Sequence, residues 1–210
     1  AMAHHLPLQV VKVGGSALTD AGWLNAFAQH AADGQRRVIV HGGGPEVSAL
    51  SGRLGVEVQW NGGRRVTSQE ALDVATMVLT GRVNKRIVRA LQANGIDAIG
   101  LSGEDAALLR ANIGHNGALG RVGQIVEVRA ELLEQLLSLG LTPVISPISR
   151  GDDGGALNVN ADEAATAVAN ALRADEMLFL TDVPAVRDAN GDRESLLVNE
   201  ARALVASQVA

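Results

Sequence analysis

Short apolar runs rich in β-branched residues alternate along this chain with stretches whose apolar positions recur at helical spacing. That alternation predicts an α/β protein with a mainly parallel sheet covered by helices. Residues 8–13 are apolar except at Gln9 and Lys12, and residues 37–41 (RVIVH) form a second strand that runs into glycines. Between them, residues 19–32 read as an Ala-rich amphipathic helix stopped by Asp33-Gly34. The order repeats at Gly42-Gly43-Gly44-Pro45, with Pro45 well placed in the first turn of a helix reaching Leu54.

Residues 56–60 and 64–67 flank Asn61-Gly62-Gly63, which predicts a hairpin. A long helix follows, with Thr67 and Glu70 spaced as a capping box. Its stripe is Leu72, Ala75, Leu79, Val83, Ile87, Ala90 and Leu91, and Asn94-Gly95 ends it. Gly81, in the middle, should cost about 1 kcal/mol relative to Ala. It is either tolerated or marks a close helix–helix crossing. Residues 96–101, 108–111, 122–128, 142–146 and 177–181 read as further strands. Helices are expected at 130–139, at 160–174 and, in a final pattern, at 197–209.

Composition narrows the function. Aromatics make up 2% of the 210 residues, too few for base-stacking platforms that bind single-stranded nucleic acid. Net charge is −5, so no global field draws in polyanions and any anionic ligand must be held by local donors. Without cysteine there is no disulfide, thiolate metal site or thiol nucleophile. No apolar run reaches the ~18 residues of a membrane span. The first residues lack the cationic-then-apolar order of a secretory signal, and a cytoplasmic protein is expected. Residues 1–5, with His4 and His5, read as a leader rather than a metal site.

Candidate chemistry collects at the carboxyl ends of the first two strands, the edge where open α/β sheets bind ligands. Glycine turns there let backbone N–H groups approach phosphate. Lys12-Val13-Gly14-Gly15-Ser16 and His41-Gly42-Gly43-Gly44-Pro45 are such turns, but neither has P-loop or dinucleotide spacing. Lys12 interrupts an apolar strand. It is either a lysine snorkelling from an edge strand or a fixed cation beside bound phosphates. Arg65 offers a fork suited to a carboxylate, and Arg64 would face the other way in an extended segment. Asn158, Asn160 and Asp162 alternate into a helix. Capping by Asn160 accounts for part of that pattern, amide and carboxylate contacts for the rest.

The segments VVKVGGS, VIVHGGGPEVSAL, GGRRVTSQEALDVATMVLTGRVNKRIVRAL, AIGLSGED and ALNVNADEAATAVANAL, followed by LTDV, resemble the acetylglutamate kinases of arginine biosynthesis, within the amino-acid kinase superfamily. The resemblance runs in order across essentially the whole chain. It implies an open αβα sandwich and one amino-acid kinase domain. Residues 1–155 would then serve substrate binding and dimerisation, and residues 156–210 would begin the nucleotide-binding part. It further implies transfer of the γ-phosphoryl of ATP, carried with Mg2+ and no dedicated metal cage, to the γ-carboxylate of N-acetyl-L-glutamate. By position, Lys12 would stabilise the transition state and Asp162 would orient it. Gly14 and Gly15 would cradle phosphates. Gly43, Gly44, Arg65 and Asn158 would hold the acyl-amino acid. Asp182, Val183, Pro184, Ala185, Val186 and Arg187 would line the nucleotide pocket, and the helix over 68–93 would form a homodimer.

The resemblance is imperfect in two places. Ala185 stands where the family has glycine, which implies a modest change near the nucleotide. The family's second phosphate-gripping lysine lies in a segment beyond Ala210. These 210 residues alone are therefore expected to catalyse weakly or not at all, and such a segment is expected to follow. No room for a long helix precedes Lys12, which implies an arginine-insensitive dimer. A kinase acting on carrier-bound glutamate or aminoadipate, and a non-catalytic nucleotide- or amino-acid-binding subunit, are the alternatives.

Overall fold

The strands expected from the apolar runs do lie side by side. A computed structural model describes residues 7–57, 59–62, 64–180, 186–188 and 191–193. Contacts divide the chain into two compact units, Ala1–Leu180 and Thr181–Ala210. The first opens with β1 (Leu8–Val13), α1 (Ala21–Ala31), β2 (Arg36–His41) and α2 (Gly44–Leu54). The hairpin strands β3 (Gln59–Asn61) and β4 (Arg64–Val66) follow, then α3 (Gln69–Thr76) and α4 (Asn84–Ala93). Next come β5 (Ala98–Gly103), β6 (Leu109–Ile113), β7 (Gly123–Val128) and α5 (Ala130–Ser138). β8 (Thr142–Gly151), β9 (Ala156–Asn158), α6 (Ala161–Leu172) and β10 (Glu176–Leu180) complete it. In the second unit β11 (Val186–Asp188) pairs antiparallel with β12 (Gly191–Arg193). The helical pattern expected over 197–209 lies outside the described residues.

β10, β1, β2 and the first half of β8 run parallel in that order, and β5 extends the parallel set beyond β8. The second half of β8 takes β6 as a parallel neighbour and β9 as an antiparallel one, and β7 closes antiparallel on β6. Side-chain parity divides the core. Val11 and Val13 face a cluster with α1–α4, whereas Leu8 and Val10 face one with α5 and α6. Full burial of each such side chain contributes on the order of 1.5–3 kcal/mol relative to exposure. The two apolar faces therefore hold helices on both sides of the sheet, as the α/β expectation requires.

Several boundaries differ from expectation. α1 starts at Ala21 rather than Thr19, and Asp20 caps it, its carboxylate accepting from the Gly22 and Trp23 N–H groups at 2.8 and 3.0 Å. Ser68, not Thr67, caps the long helix, its hydroxyl accepting from Ala71 N–H at 3.2 Å. Thr67 instead bridges to Gly120. The long helix is interrupted by a π-wound stretch, Met77–Val83, which contains Gly81. A Cβ at Gly81 would meet nothing within 4 Å, so no crossing inside the described chain explains that glycine. β8 runs five residues past the expected end at Ser146, and β9 forms over Ala156–Asn158, where no strand was expected.

Candidate functional site

β1 and β2 end level with one another, since Val13 is the register partner of His41. The Gly42 N–H then donates to the Val13 carbonyl at 2.9 Å, which brings the two glycine turns together at the carboxyl edge of the sheet. Lys12 has the parity of Leu8 and Val10, so it points to the α6 side. Because β1 is flanked by β2 and β10, Lys12 is not on an edge strand. Its Nζ lies 2.9 Å from Asp162 Oδ1, and its side chain is only 15% exposed. This carboxylate neutralises a cation that would otherwise be costly so close to the core.

Asp162 stands in the first turn of α6. Asn160 caps that helix, its Oδ1 accepting from the Asp162 and Glu163 N–H groups at 2.8 and 3.3 Å. Capping and charge pairing thus share the segment, each by a different residue. Gly14 has a steric reason to be glycine: a Cβ there would collide with Lys12 Nζ. Its N–H is engaged by the Leu180 carbonyl at 3.2 Å. Gly15 opens a 3-10 turn, Gly15–Thr19.

The second glycine turn borders a cleft of about 330 Å³. Gly42, Gly43 and Gly44 form one wall, and Asn158 and Asn160 stand among its other polar residues. Val47, Ala71, Ala75 and Leu79 make an apolar side of small cross-section. Gly43 has no room for a side chain: at φ +153 a Cβ would lie 2.8 Å from Leu79 Cδ2 and 3.2 Å from Val83 Cγ2. The π-wound stretch therefore packs directly against this turn. Among the described residues no acceptor pairs with the Gly43 or Gly44 N–H, and both stand where α2 begins. Such a terminus, carrying partial positive charge, suits a carboxylate.

Arg65 sits in β4 opposite Trp60, and the same run of chain continues into Thr67, which lines the cleft. The direction of its guanidinium lies outside the described part of the molecule. Asp182, Val183, Pro184 and Ala185 also lie outside it, while Val186 and Arg187 belong to β11. Lys12, Gly14, Gly43, Gly44, Asn158 and Asp162 are the candidate residues whose surroundings are described in the first unit.

Some participants were not singled out from sequence. Glu46, in the first turn of α2, pairs with Arg86 and lies 3.3 Å from Arg82, tying the turn to the long helix. His41 is fully buried; its Nδ1 lies 2.8 Å from the Gly42 carbonyl and its Nε2 3.1 Å from Asn84 Nδ2. Burial holds its imidazole well below the ordinary range, at a pKa of about 4, with the Arg86 and Lys85 charges acting the same way. A sequence signal for Asn84 existed, namely an amide on the apolar face between Val83 and Ile87. Among the described residues no group of three His, Asp or Glu could hold a metal ion, and no helix is long and apolar enough to cross a membrane.

A mainly parallel α/β sheet with a paired lysine beside one glycine turn and a cleft beside the next, where a helix N-terminus opens, is an arrangement suited to small anionic ligands. More particularly, the chain belongs to the amino acid kinase family, whose sequence model matches residues 7–203. It is 46% identical over 196 residues to an acetylglutamate kinase of Methanopyrus kandleri, covering 90% of this chain and 77% of that one. An acetylglutamate kinase of Caldanaerobacter subterraneus subsp. tengcongensis is 44% identical over 193 residues, and this chain spans 64% of its length. Among solved structures, smu.665 of Streptococcus mutans superposes with a TM-score of 0.79 at 27% identity, over 97% of this chain and 84% of that one. An N-acetylglutamate synthase of Neisseria gonorrhoeae, at 24% identity and a TM-score of 0.77, shares the fold over 95% of this chain and 47% of its own.

Proposed function

We propose that this protein transfers the γ-phosphoryl group of ATP to the γ-carboxylate of N-acetyl-L-glutamate, forming N-acetyl-L-glutamyl 5-phosphate and ADP in arginine biosynthesis. The observation that carries the proposal is the Lys12–Asp162 pair, 2.9 Å apart, standing where two glycine turns meet. The identities with acetylglutamate kinases support the choice of substrate.

A carboxylate is already ionised at neutral pH, so the acceptor oxygen attacks phosphorus without a general base. The bond from the γ-phosphorus to the ADP oxygen breaks as the new one forms, and ADP leaves with that electron pair. Catalysis then rests on in-line positioning and on charge neutralisation. In this reading Lys12 neutralises charge on the transferring group, and Asp162 keeps the ammonium aimed. Gly14 contributes by leaving room for that ammonium, and Gly15 opens the turn toward the nucleotide phosphates. Gly43 and Gly44 offer N–H donors to the acyl-amino acid, with Arg65 on its α-carboxylate and Asn158 on its amino-acid part. Mg2+ arrives with ATP and screens its phosphates. Residues 182–187 flank the nucleotide, and two copies associate through the helix over 68–93. The setting is cytoplasmic.

The test is ADP release measured with N-acetylglutamate, glutamate, aspartate and carbamate in turn. Turnover with N-acetylglutamate well above the other three is the expected result. Turnover confined to another acid, or to a carrier-bound one, would replace the substrate. Binding of N-acetylglutamate without turnover would make this a non-catalytic subunit.

A further inference from the structure

Beneath the glycine turn that borders the cleft lies a buried pair of polar side chains, His41 and Asn84, and neither lines the cleft. We infer that His41 and Asn84 are positioning residues: Asn84 sets the tautomer of His41, and His41 in turn fixes the Gly42 peptide so that the Gly43 N–H faces the substrate carboxylate. This inference rests on the assignment of Gly43 and Gly44 to the acyl-amino acid.

The anchor of the pair is Asn84. Its Nδ2 lies 2.9 Å from the Val144 carbonyl and 3.3 Å from the Leu101 carbonyl, two acceptors that only an amide N–H can serve. Its Oδ1 accepts from Lys85 Nζ at 3.1 Å, and the same ammonium donates to the Gly100 carbonyl at 3.0 Å. The amide orientation is thereby set from both ends. Nδ2 shares its two hydrogens among three partners and cannot itself accept, so the His41 Nε2 at 3.1 Å carries no proton and the ring proton resides on Nδ1. That Nδ1–H donates to the Gly42 carbonyl at 2.8 Å.

Gly42 is then held on both sides, because its own N–H is taken by the Val13 carbonyl at 2.9 Å. A trans peptide places the Gly42 C=O and the Gly43 N–H in opposite directions. Holding the carbonyl against the buried imidazole therefore turns the Gly43 N–H away from it. The strands make room for the device: a Cβ on Gly100 would collide with Asn84 Oδ1 and sit 2.5 Å from Lys85 Nζ. Both polar residues are fully buried. Without a partner each would cost far more than an apolar replacement of the same shape. Burial lowers the His41 pKa to about 4, which agrees with an imidazole kept neutral near pH 7.

Two substitutions of His41 separate this role from simple packing. Asn places an amide N–H near the Nδ1 position and keeps the donor to Gly42, whereas Gln places its amide near Nε2 and keeps only the contact to Asn84. N-acetylglutamate and nucleotide affinities are measured by calorimetry on wild type, H41N and H41Q, with unfolding midpoints as a control. H41Q is expected to bind N-acetylglutamate about tenfold or more weakly. H41N should stay within about threefold of wild type, and nucleotide affinity should be unmoved in both. H41Q binding as well as H41N, or H41N losing as much as H41Q, would overturn the inference. Should neither variant fold, the 15N spectrum of His41 in the wild type decides: a proton on Nδ1 supports the inference and one on Nε2 refutes it. Wild type that binds no N-acetylglutamate would instead refute the substrate assignment, while the nitrogen spectrum still tests the tautomer.

Discussion

Lys12 and Asp162 are separated by 150 positions in sequence, yet their charged atoms lie 2.9 Å apart across the strand–helix layer boundary. A cation so placed acts on charge that develops during transfer more than on the bound acid. Lys12→Ala should therefore lower kcat at least tenfold while N-acetylglutamate affinity, measured by calorimetry, changes little. A variant of normal kcat would remove Lys12 from the chemistry. Asp162→Asn keeps a side chain of the same shape but frees the ammonium, so a smaller loss of kcat is expected. His41 yields a prediction of a different kind. Its folded pKa of about 4 lies below the ordinary 6.5, so the unfolded chain binds a proton over a pH range in which the native state does not. The sign follows: this contribution to stability is complete above about pH 6.5 and is lost as pH falls toward 4. The unfolding midpoint of H41N should fall less steeply over that window than that of wild type, which thermal melts at several pH values would measure.

At the scale of elements, the turn after β2 and the π-wound stretch Met77–Val83 are one packing unit. Leu79 and Val83 occupy the space a side chain on Gly43 would need, and Glu46 ties the start of α2 to Arg86. Gly43→Ala should cost about 1–3 kcal/mol by denaturant unfolding, through overpacking and a left-handed φ. It should also weaken N-acetylglutamate binding, because the displaced N–H belongs to the cleft. Thr80 Oγ1 and Ser146 Oγ, 2.8 Å apart, join the same stretch to β8, so the cleft's apolar side is braced from the sheet as well. π-wound segments often accompany functional sites because one extra residue per turn shifts neighbouring side chains. Here Leu79, within the π-wound stretch, lies against Gly43.

For the whole molecule, the open space beside Gly81 matters most. That glycine is exposed and nothing in the described chain lies against it, although a helical glycine costs about 1 kcal/mol. If two copies cross there, G81L should weaken self-association at least tenfold by sedimentation while leaving the far-UV circular dichroism spectrum unchanged. An unaltered association constant would remove Gly81 from any contact between copies. Exposed Met77, on the same stretch, is a second position at which to make that measurement.

Local order, strand identity and the two glycine turns were legible along the chain because they depend on near neighbours: β-branched runs, apolar periodicity, and residues that permit tight turns. Alternate strand positions face opposite layers, but that Lys12 shares the α6 face of β1 with Leu8 and Val10 was decided by the assembled sheet. The cap of the long helix slipped by one residue because Thr67 and Ser68 are both competent caps, and Thr67 is taken by its bridge to Gly120. What no local pattern could supply was the pairing of distant groups. Asn84 meeting His41, Gly100 leaving space for Asn84, and Gly43 closing on Leu79 each depend on three-dimensional adjacency between elements far apart in sequence. Charges and amides become site residues only when burial removes water as the competing partner, and burial belongs to the assembled sheet and its two helical layers.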